Sequence, residues 1–423
     1  MTTGTFSNLG LAEQIQRALK ARDHLIPTPI QARCIPELLA GKDLMGIAQT
    51  GTGKTAAFAL PILHQLAPAS ASKPPRGRRQ PRALILSPTR ELAIQIGDEF
   101  RAYARYLPLR STTIYGGVSQ KPQVNAVRRG VDIVVATPGR LLDLMGQGEI
   151  ALDAIRYFVL DEGDRMLDMG FIHDVRKIIA ALPTRRQSLM FSATMPSEVA
   201  GLSGEILSRP IRVDITPQAT PVERIEQSIH HVEASAKATL LTRILDDPAL
   251  SRVLVFARTK HRANRVAEKL DRGGIAAEAI HGNKSQGARQ RALQRFRDGD
   301  ARVLVATDIA ARGLDVAGIS HVINYELPNE PENYVHRIGR TARAGAGGAA
   351  VSFCDVTERN YLRGIERLIG HSLTVVGDKP VGFATDGPTR RNRPRPSPWH
   401  GSGGSPSGKN SRTFRPRKSL TRV

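Results

Sequence analysis

The chain has 423 residues, of which 40% are hydrophobic, and 61 Lys and Arg against 39 Asp and Glu give it a net charge of +22. This length predicts two or three domains, and the positive charge predicts a polyanionic partner, nucleic acid above all. No apolar run approaches the ~20 residues of a membrane helix, and neither a secretory signal nor a cysteine framework is recognisable, which excludes membrane and disulfide-stabilised classes. We expect a cytoplasmic protein in which Cys34 and Cys354 are buried.

A glycine-rich loop at residues 48–55 (AQTGTGKT) is the most informative pattern in the chain. Residues 42–47 before it predict a short strand, and residues 56–66 after it predict a helix. Gly51 and Gly53 allow the backbone to turn its N–H groups toward phosphate oxygens, and the helix that follows adds the positive end of its dipole. The segment therefore predicts a nucleoside triphosphate site, against the alternative of a chance glycine-rich turn.

Side chains suited to phosphate chemistry occur in this loop and after a later strand. We expect Lys54 to reach the outer phosphates and the Thr55 hydroxyl to bind Mg²⁺. Asp161 and Glu162 follow the candidate strand at residues 157–160. We expect Asp161 to hold the metal through water and Glu162 to orient the attacking water as general base. Taken alone, the acidic pair is equally compatible with a surface turn.

Short β-rich runs alternate with helical patterns through most of the chain, which predicts an α/β fold with parallel sheets covered by helices. The candidate strands of the first half span residues 83–87, 132–136, 157–160 and 188–191. Those of the second half span residues 252–256, 302–306, 321–325 and 349–353. The two series predict two similar tandem domains, at 1–206 and 222–372, joined by a proline-containing linker at 207–221.

Two segments have a composition that predicts no packed structure. Residues 67–82 are basic and rich in proline, so we expect a surface loop there. Residues 373–423 are expected to form a disordered basic tail. From Pro380 onward, ten Lys and Arg oppose the single acid Asp386, and 19 of 44 residues are Pro, Gly or Ser. The tail is either a solvated linker or a non-specific RNA-binding arm, and the single sign of its charge favours the arm.

A run of cations at residues 334–343 (YVHRIGRTAR) places Arg337, Arg340 and Arg343 three positions apart. On a helix, this spacing puts the three on one face, from which several guanidinium groups could reach one phosphate site. Gly339 within the run disfavours a helix and indicates close approach to a ligand. A basic helix face is usually only solvated, but we expect this one to supply arginines to a nucleotide held by the first domain.

Taken in order, the motifs of this chain resemble those of the DEAD-box RNA helicases of superfamily 2, and most of all those of the bacterial RhlE-type branch. The resemblance extends over residues 6–355. The matching segments are 27–31 (PTPIQ), 48–55 (AQTGTGKT), 88–92 (PTREL), 116–117 (GG), 137–140 (TPGR), 161–164 (DEGD), 192–194 (SAT), 253–260 (VLVFARTK), 281–282 (HG) with Gln286 and Arg289, 306–315 (ATDIAARGLD) and 336–343 (HRIGRTAR).

The resemblance implies an ATP-dependent RNA helicase made of two RecA-like domains, with ATP and Mg²⁺ as cofactors and RNA bound mainly through its backbone. By this resemblance, the nucleotide is contacted by His24, Gln31, Thr50, Gly51, Thr52, Gly53, Lys54, Thr55 and Asp315. The catalytic residues are Lys54, Asp161, Glu162, Arg340 and Arg343, and the metal is held by Thr55 and Asp161. The RNA track comprises Thr89, Arg90, Gly117, Thr137, Arg140, Gly282 and Thr307. Ser192 and Thr194 link hydrolysis to unwinding, and the ribosome and the RNA-degradation machinery are candidate partners.

Three positions depart from the family pattern. The name-giving DEAD sequence is DEGD here, with Gly163 in place of alanine, and Ala342 replaces a usual glycine. Both changes keep every charged residue, so we expect activity. An aromatic ring that stacks on adenine is replaced by His24, which follows Asp23 rather than glycine. Because imidazole stacks less well, we expect nucleotide affinity or adenine preference to be affected.

Two other functions remain open at this point. An ATP-gated RNA clamp or scaffold with little unwinding would use the same motifs, and a strand-displacement assay beside ATPase rates separates it from a helicase. A DNA-directed ATPase would hydrolyse ATP equally well with DNA. The order of the motifs favours the RNA helicase over both.

Overall fold

The protein is built from parallel strands that alternate with helices along the chain. The computed structural model describes residues 4–48, 51–71, 79–215, 225–311, 316, 318–342 and 347–377. Within these residues the strands are β1 (Leu44–Ile47), β2 (Ala83–Leu86), β3 (Ser111–Ile114), β4 (Ile133–Ala136), β5 (Tyr157–Leu160), β6 (Gln187–Ser192), β7 (Ile211–Asp214), β8 (Ile225–His231), β9 (Val253–Phe256), β10 (Ala277–Ile280), β11 (Val303–Ala306), β12 (His321–Asn324), β13 (Gly348–Cys354) and β14 (Thr374–Val375).

Helices connect most of these strands. In chain order they are α1 (Glu13–Lys20), α2 (Pro29–Leu39), α3 (Lys54–Ala71), α4 (Arg90–Tyr103), α5 (Lys121–Arg128), α6 (Pro138–Gly146), α7 (Gly163–Asp168), α8 (Ile172–Ala180), α9 (Ser197–Ile206), α10 (Lys237–Leu245), α11 (Lys260–Arg272), α12 (Gln286–Asp298), α13 (Asp308–Ala311), α14 (Pro331–Ile338) and α15 (Arg359–Ile369). Two short 3-10 helices lie at Phe6–Leu9 and Val356–Glu358.

The strands form two seven-stranded parallel sheets. The order in the first sheet is β3-β4-β2-β5-β6-β1-β7, and the order in the second is β10-β11-β9-β12-β13-β8-β14. Each strand number in the second order exceeds its counterpart in the first by seven, so the two halves share one topology. This confirms the predicted pair of tandem α/β domains with parallel sheets.

The central strands are buried on both faces because their side chains alternate between two hydrophobic clusters. Ala83 and Ile85 of β2 pack in the cluster that includes α1 to α4, whereas Leu84 and Leu86 pack in the cluster that includes α5 to α9. The second sheet repeats this alternation along β9. Continuous apolar strands are typical of parallel sheets covered by helices on both sides. Each hydrophobic cluster in the described residues draws on one half of the chain alone.

Several helices begin at a hydroxyl side chain that caps their first turn. The Thr89 Oγ1 accepts a hydrogen bond from the backbone N–H of Leu92 at 3.3 Å before α4, and the Ser285 Oγ accepts one from Ala288 at 3.3 Å before α12. Such caps satisfy an N–H group that has no partner within the helix. They fix where these helices begin, directly after the carboxyl ends of strands.

Two of the predicted boundaries differ from the structure. Residues Ile211–Asp214, which the sequence places in the linker, form β7 and pair with β1 in the first sheet. Residues Thr374–Val375, which the sequence places in the tail, form β14 and pair with β8. Most of the predicted linker after residue 215 and the tail from residue 378 lie outside the described residues, and the domain bounds stay predictions.

The basic segment predicted as a loop at 67–82 is partly ordered. Helix α3 continues to Ala71, and residues 72–78 lie outside the described part. Arg79 and Arg82 form ion pairs with Asp132, at 3.0 Å and 2.7 Å, and the Asp132 side chain is only 3% exposed. These two cations therefore compensate a buried carboxylate instead of facing solvent.

All strands within each sheet run in the same direction, so their carboxyl ends meet at one edge. In open parallel sheets this edge is where ligands bind. Most predicted site residues lie on loops that follow β1, β2, β3, β4, β5 and β6 in the first domain and β10 and β11 in the second. No helix in the described residues is long and apolar enough to cross a membrane. Cys34 and Cys354 are buried and unpaired, as predicted.

Candidate nucleotide and RNA site

The glycine-rich loop connects β1 to α3, as the sequence predicts. Gly51 and Gly53 have φ angles of 86° and 90°, which only glycine adopts without strain. Lys54 begins α3 and is 6% exposed, and its Nζ donates a hydrogen bond to the carbonyl oxygen of Ala48 at 2.9 Å. The lysine is therefore held inside the loop. Thr50, one of the predicted nucleotide contacts, lies outside the described residues.

Gln31, the predicted reader of the base, contacts the same loop. Its Nε2 donates a hydrogen bond to the carbonyl oxygen of Gly53 at 3.1 Å, and its Oε1 accepts one from the backbone N–H of Thr28 at 2.9 Å. A Cβ on residue 53 would overlap the Gln31 amide, so this close approach requires glycine. Beside these residues lies an open cavity of about 720 Å³ whose lining includes His24, Gln31, Gly51, Gly53 and Thr55. Five predicted nucleotide contacts thus meet at one cavity.

His24 lies on the exposed rim of this cavity and has one aromatic neighbour. Its ring centroid is 6.2 Å from that of Tyr103, and the planes are tilted by 51°. Burial lowers the pKa of His24 below 6.5, and the nearby Arg22 lowers it further. The imidazole is therefore neutral at pH 7 and can stack as an uncharged ring. Asp23 has a φ of 56°, which explains why the family usually has glycine there.

Substitution of His24 by Phe is expected to lower the KM for ATP by about twofold to tenfold, because a phenyl ring adds roughly 0.5–1.5 kcal/mol of aromatic stacking. The measurement is ATP hydrolysis against ATP concentration at saturating RNA. His173→Phe, on an exposed part of α8, provides a control in which the KM stays unchanged. An equal KM for His24→Phe and the wild type would remove His24 from the base site.

The two predicted catalytic carboxylates are buried at the end of β5. Asp161 is 2% and Glu162 is 3% exposed, and the Glu162 backbone has φ 54° and ψ 55°, in the left-handed region. Burial raises the pKa of Asp161 to about 6, while the charge of Lys54 opposes this rise. The Glu162 Oε2 accepts a hydrogen bond from the Arg165 Nη1 at 2.6 Å. Asp161 therefore lies near the loop that contains Lys54, whereas Glu162 pairs with Arg165 of α7.

Asp164, the last residue of DEGD, joins this site to the predicted coupling segment. Its Oδ2 accepts hydrogen bonds from the backbone N–H groups of Ala193 and Thr194 at 3.2 and 2.9 Å, and from the Thr194 hydroxyl at 3.0 Å. The Ser192 Oγ accepts one from the backbone N–H of Asp164 at 3.1 Å and donates to the Thr194 carbonyl at 2.7 Å. Ser192 and Thr194 therefore share one network with the acidic motif. The sequence placed no role on Asp164, although its position within DEGD was a usable signal.

Three of the predicted RNA contacts in the first domain converge on one loop. The guanidinium of Arg90 lies directly against Gly117, whose φ of 79° and missing side chain make room for it. Arg140 donates from Nη1 and Nη2 to the carbonyl oxygen of Val118, both at 3.3 Å. Two arginines at the first turns of α4 and α6 thus flank the loop after β3. Cations and helix N-termini in this arrangement suit a phosphate backbone.

The remaining predicted RNA contacts are small residues that directly follow strands. Thr89, Thr137 and Thr307 follow β2, β4 and β11 and are 6%, 8% and 8% exposed. Gly282 follows β10 in the second domain and is exposed, and no atom lies within 4 Å of the place that a Cβ would take. The three threonines are therefore largely buried, and Gly282 is the exposed member of this set. Which of them contact RNA stays a prediction.

Polar contacts connect the two domains near these loops. Glu91 at the start of α4 is 4% exposed, and its Oε1 accepts a hydrogen bond from the Gln286 Nε2 at 2.9 Å and pairs with the Arg289 Nε at 3.1 Å. His336 of α14 lies close enough to Arg165 of α7 that this arginine, after burial, lowers its pKa. The carboxyl edges of the two sheets therefore meet. Sequence reasoning placed Glu91 within the matching segment 88–92 but did not predict its contacts with Gln286 and Arg289.

The three regularly spaced arginines do not form one helix face. Helix α14 ends at Ile338 with Gly339 as its C-cap, so Arg340 lies beyond the helix that carries Arg337. Arg337 is 1% exposed and pairs with Asp308, and we correct its predicted place near the phosphates. Arg340 follows the helix end, is 4% exposed and lines a small cavity with His336. Arg343 and the predicted ribose contact Asp315 lie outside the described residues.

Comparison with known proteins matches both halves of the chain to helicase domains. The DEAD/DEAH box helicase model matches residues 28–202, and the model of the helicase conserved C-terminal domain matches residues 236–345. The DEAD-box ATP-dependent RNA helicase CshA of Geobacillus kaustophilus is 40% identical over 386 residues, which cover 91% of this chain and 81% of that protein. The ATP-dependent RNA helicase DeaD of Mycobacterium tuberculosis is 43% identical over 374 residues, covering 88% of this chain and 65% of that protein.

A solved structure of a similar protein carries the ligands that the motifs imply. Dbp5 L327V of S. cerevisiae, bound to RNA and ADP BeF3, matches with a TM-score of 0.76 and 32% identity, over 88% of this chain and 95% of that one. Both halves of the present chain therefore have the RecA-like fold of that class. On the strength of both family models, the extent of the relatives and the shared fold, this chain belongs to the family of DEAD-box ATP-dependent RNA helicases.

Proposed function

We propose that this ATP-dependent RNA helicase binds ATP and single-stranded RNA between its two RecA-like domains and uses hydrolysis to separate short RNA duplexes or remodel RNA–protein complexes. One observation carries the proposal. The carboxyl edge with the nucleotide loop and the acidic motif meets the carboxyl edge of the second domain through Glu91, Gln286 and Arg289. A site divided in this way is complete only when the domains are together.

In this proposal the first domain holds the triphosphate. Lys54 would bind the outer phosphates, and Glu162 would orient the attacking water and take its proton. Arg340, and Arg343 beyond the described residues, would approach from the second domain and stabilise charge that develops on the γ-phosphate. Gln31 would read the adenine edge, and His24 would stack on its face. The observed burial of Lys54, Glu162 and Arg340 supports these roles, since charges act more strongly where water is excluded.

The residues beside the loop fit Mg²⁺. The Thr55 hydroxyl and the Asp161 carboxylate are oxygen ligands of the kind that Mg²⁺ prefers, and the ion usually keeps several waters besides. Within the described ranges, no three His, Cys, Asp or Glu side chains gather into a metal site of their own. Phosphate oxygens would therefore complete the coordination. When bound, the ion neutralises negative charge on the phosphates.

RNA would be held through its backbone and without regard to sequence. Arg90 and Arg140 supply positive charge on both sides of the loop with Gly117, and Thr89 and Thr137 lie at the beginnings of α4 and α6. Contacts to phosphates position a nucleic acid but carry no sequence information, whereas contacts to the 2′-OH distinguish RNA from DNA. Because ATP and RNA would bind the same closed state, each must raise the affinity for the other by the same factor.

Measurement of ATP hydrolysis with RNA, with DNA and with neither tests the proposal, together with displacement of a short RNA strand. We expect RNA to stimulate hydrolysis at least about tenfold and DNA much less, because the coupling depends on 2′-OH contacts. Stimulation without strand displacement would support the RNA clamp instead. Equal stimulation by DNA would support a DNA-directed ATPase.

Removal of residues 380–423 is expected to weaken RNA binding while basal ATP hydrolysis persists. The truncation removes ten Lys and Arg residues and one acidic residue. The slope of log K against log salt concentration should become shallower by at least about 2, because fewer counterions are released from RNA. Titrations at several salt concentrations give the slope for both proteins. An unchanged slope would show that the tail does not contact RNA.

The proposal also includes a location in the cell. A cytoplasmic location is supported by two buried, unpaired cysteines, which suit a reducing compartment. The ribosome and the RNA-degradation machinery as partners, and the RhlE-type branch within the family, stay predictions from the sequence.

A further inference from the structure

Gly163, the residue that changes DEAD to DEGD, lies directly on the end of the Met190 side chain. A Cβ placed on Gly163 would be 2.6 Å from the Met190 Cε, whereas its next neighbours, Phe191 O and Val199 Cγ1, would be at ordinary distances of 3.7 and 3.8 Å. Carbon atoms that are not bonded do not approach to 2.6 Å. The Met190 methyl group therefore occupies the space that the alanine side chain of a DEAD sequence would take.

Met190 has little room to withdraw. It is 0% exposed and lies on the central strand β6, between β5 and β1. It belongs to a hydrophobic cluster with Met166, Val199 and Leu202, each of which is also 0% exposed. A methionine side chain is flexible, but an interior at this density resists an added methyl group. Relief of the overlap would move either Met190 into its neighbours or the start of α7 away from β6.

The start of α7 is where such a movement matters most. Gly163 stands between Glu162, whose backbone is in the left-handed region, and Asp164, which accepts hydrogen bonds from Ala193 and Thr194. The hydrogen bond from the Asp164 N–H to the Ser192 Oγ, at 3.1 Å, also crosses from α7 to β6. The distance between these two elements is set locally by the contact of Gly163 with Met190.

We propose that Gly163 and Met190 are a size-matched pair in which Met190 acts as a positioning residue for Glu162 and Asp164. The methionine supplies from β6 the volume that the missing alanine methyl group would supply from α7. Met190 then compensates for the change from DEAD to DEGD and preserves the active site. Alanine at position 163 without a change at Met190 therefore impairs this protein. The inference rests on the proposed function for its activity readout, but not for its structural one.

Four proteins test the pair: the wild type, Gly163→Ala, Met190→Leu and the double variant. Leucine has as many heavy atoms as methionine but ends one bond closer to the backbone, so it makes room for a Cβ on residue 163 at nearly constant volume. We expect Gly163→Ala to lower the RNA-stimulated kcat at least about fivefold with little change in the KM for ATP, because overpacking displaces Glu162 but not the nucleotide loop. The double variant should remain within about twofold of the wild type, whereas Met190→Leu alone, which leaves the space beside Gly163 unfilled, should lose part of the kcat.

Thermal unfolding of the same four proteins tests the pairing of Gly163 with Met190 independently of the enzyme activity. Gly163→Ala should lower the Tm by about 2–6 °C, and Met190→Leu should restore it in the double variant. Gly204→Ala in α9 is the control, because this exposed glycine has no atom within 4 Å of a Cβ. This change should leave the rate unaltered and should not lower the Tm, since alanine is favoured over glycine within a helix by about 0.5–1 kcal/mol.

Two results would overturn the pairing. One is a Gly163→Ala protein as active and as stable as the wild type, and the other is a double variant no better than Gly163→Ala. If the wild type itself showed no RNA-stimulated hydrolysis, the proposed function would fail, and the Tm values of the four proteins would still decide the pairing.

Discussion

Lys54→Ala and Glu162→Gln are each expected to reduce RNA-stimulated ATP hydrolysis by at least about a hundredfold. Both side chains are buried, at 6% and 3% exposed, so water cannot replace their charge. Glutamine keeps the shape of Glu162 but cannot accept the proton of the attacking water. Alanine at position 54 removes the proposed contact to the phosphates and also the charge that opposes the rise in the pKa of Asp161.

The two variants should differ in how they fail. Glu162→Gln should retain ATP binding and lose kcat, whereas Lys54→Ala should weaken binding as well, which a fluorescent nucleotide titration detects. Matched controls are Lys42→Ala and Glu149→Gln, which remove the same charges from exposed ion pairs with Glu37 and Arg128. If either test variant hydrolysed ATP as fast as its control, the substituted residue would have no catalytic role.

Arg337→Ala is expected to destabilise the second domain by about 3–5 kcal/mol, which corresponds to a fall in Tm of about 6–20 °C. The Arg337 Nε and Nη2 contact both carboxylate oxygens of Asp308 at 2.5 and 2.7 Å, and its Nη1 donates to Asn324 Oδ1 at 3.2 Å and to the Glu326 carbonyl at 2.7 Å. The guanidinium also lies 5.0 Å from the centroid of the Phe256 ring. Alanine leaves these acceptors unpaired in a buried site.

Thermal unfolding followed by circular dichroism measures this change. Arg272→Ala is the control, since Arg272 is 82% exposed and lies 3.8 Å from Glu268, and a surface pair of this kind contributes about 0–1 kcal/mol. Arg337→Lys should also destabilise, because an ammonium group cannot form the paired hydrogen bonds with Asp308. A Tm for Arg337→Ala equal to that of the control would return Arg337 to the list of candidate phosphate contacts.

The strands that the sequence predicts all lie inside the sheets, and of the internal strands only β8 (Ile225–His231), which reads IEQSIHH, was missed. Segments such as 83–86 and 253–256 are apolar throughout because both of their faces are covered. Strands β3, β7, β10 and β14 are the four edges of the two sheets, and none was predicted. Strand β3 reads STTI and β7 reads IRVD, since an edge faces solvent and keeps polar side chains. The missing signal is thus a consequence of position in the sheet.

The residues of the candidate site also differ in how readily the sequence predicts them. The glycine-rich loop and the acids after β5 act through short contiguous segments, so their spacing in the sequence suffices to find them. Glu91 contacts Gln286, which is 195 residues away in the sequence, and Asp164 contacts Ala193, which is 29 residues away. Arg337 was misplaced because the period of three fits either a phosphate-binding face or a buried ion pair. Only the fold brings Asp308 beneath it.

The two halves of the chain have separate hydrophobic cores, and this limits the free energy needed to move the two domains apart. Because each cluster in the described residues draws on one half alone, the domains can part without exposing a core to water. Separation would expose both charges of contacts such as Glu91 with Arg289, and their hydration would offset much of the lost attraction. In the proposed cycle, ATP and RNA therefore shift the domains without assembling or breaking a hydrophobic core.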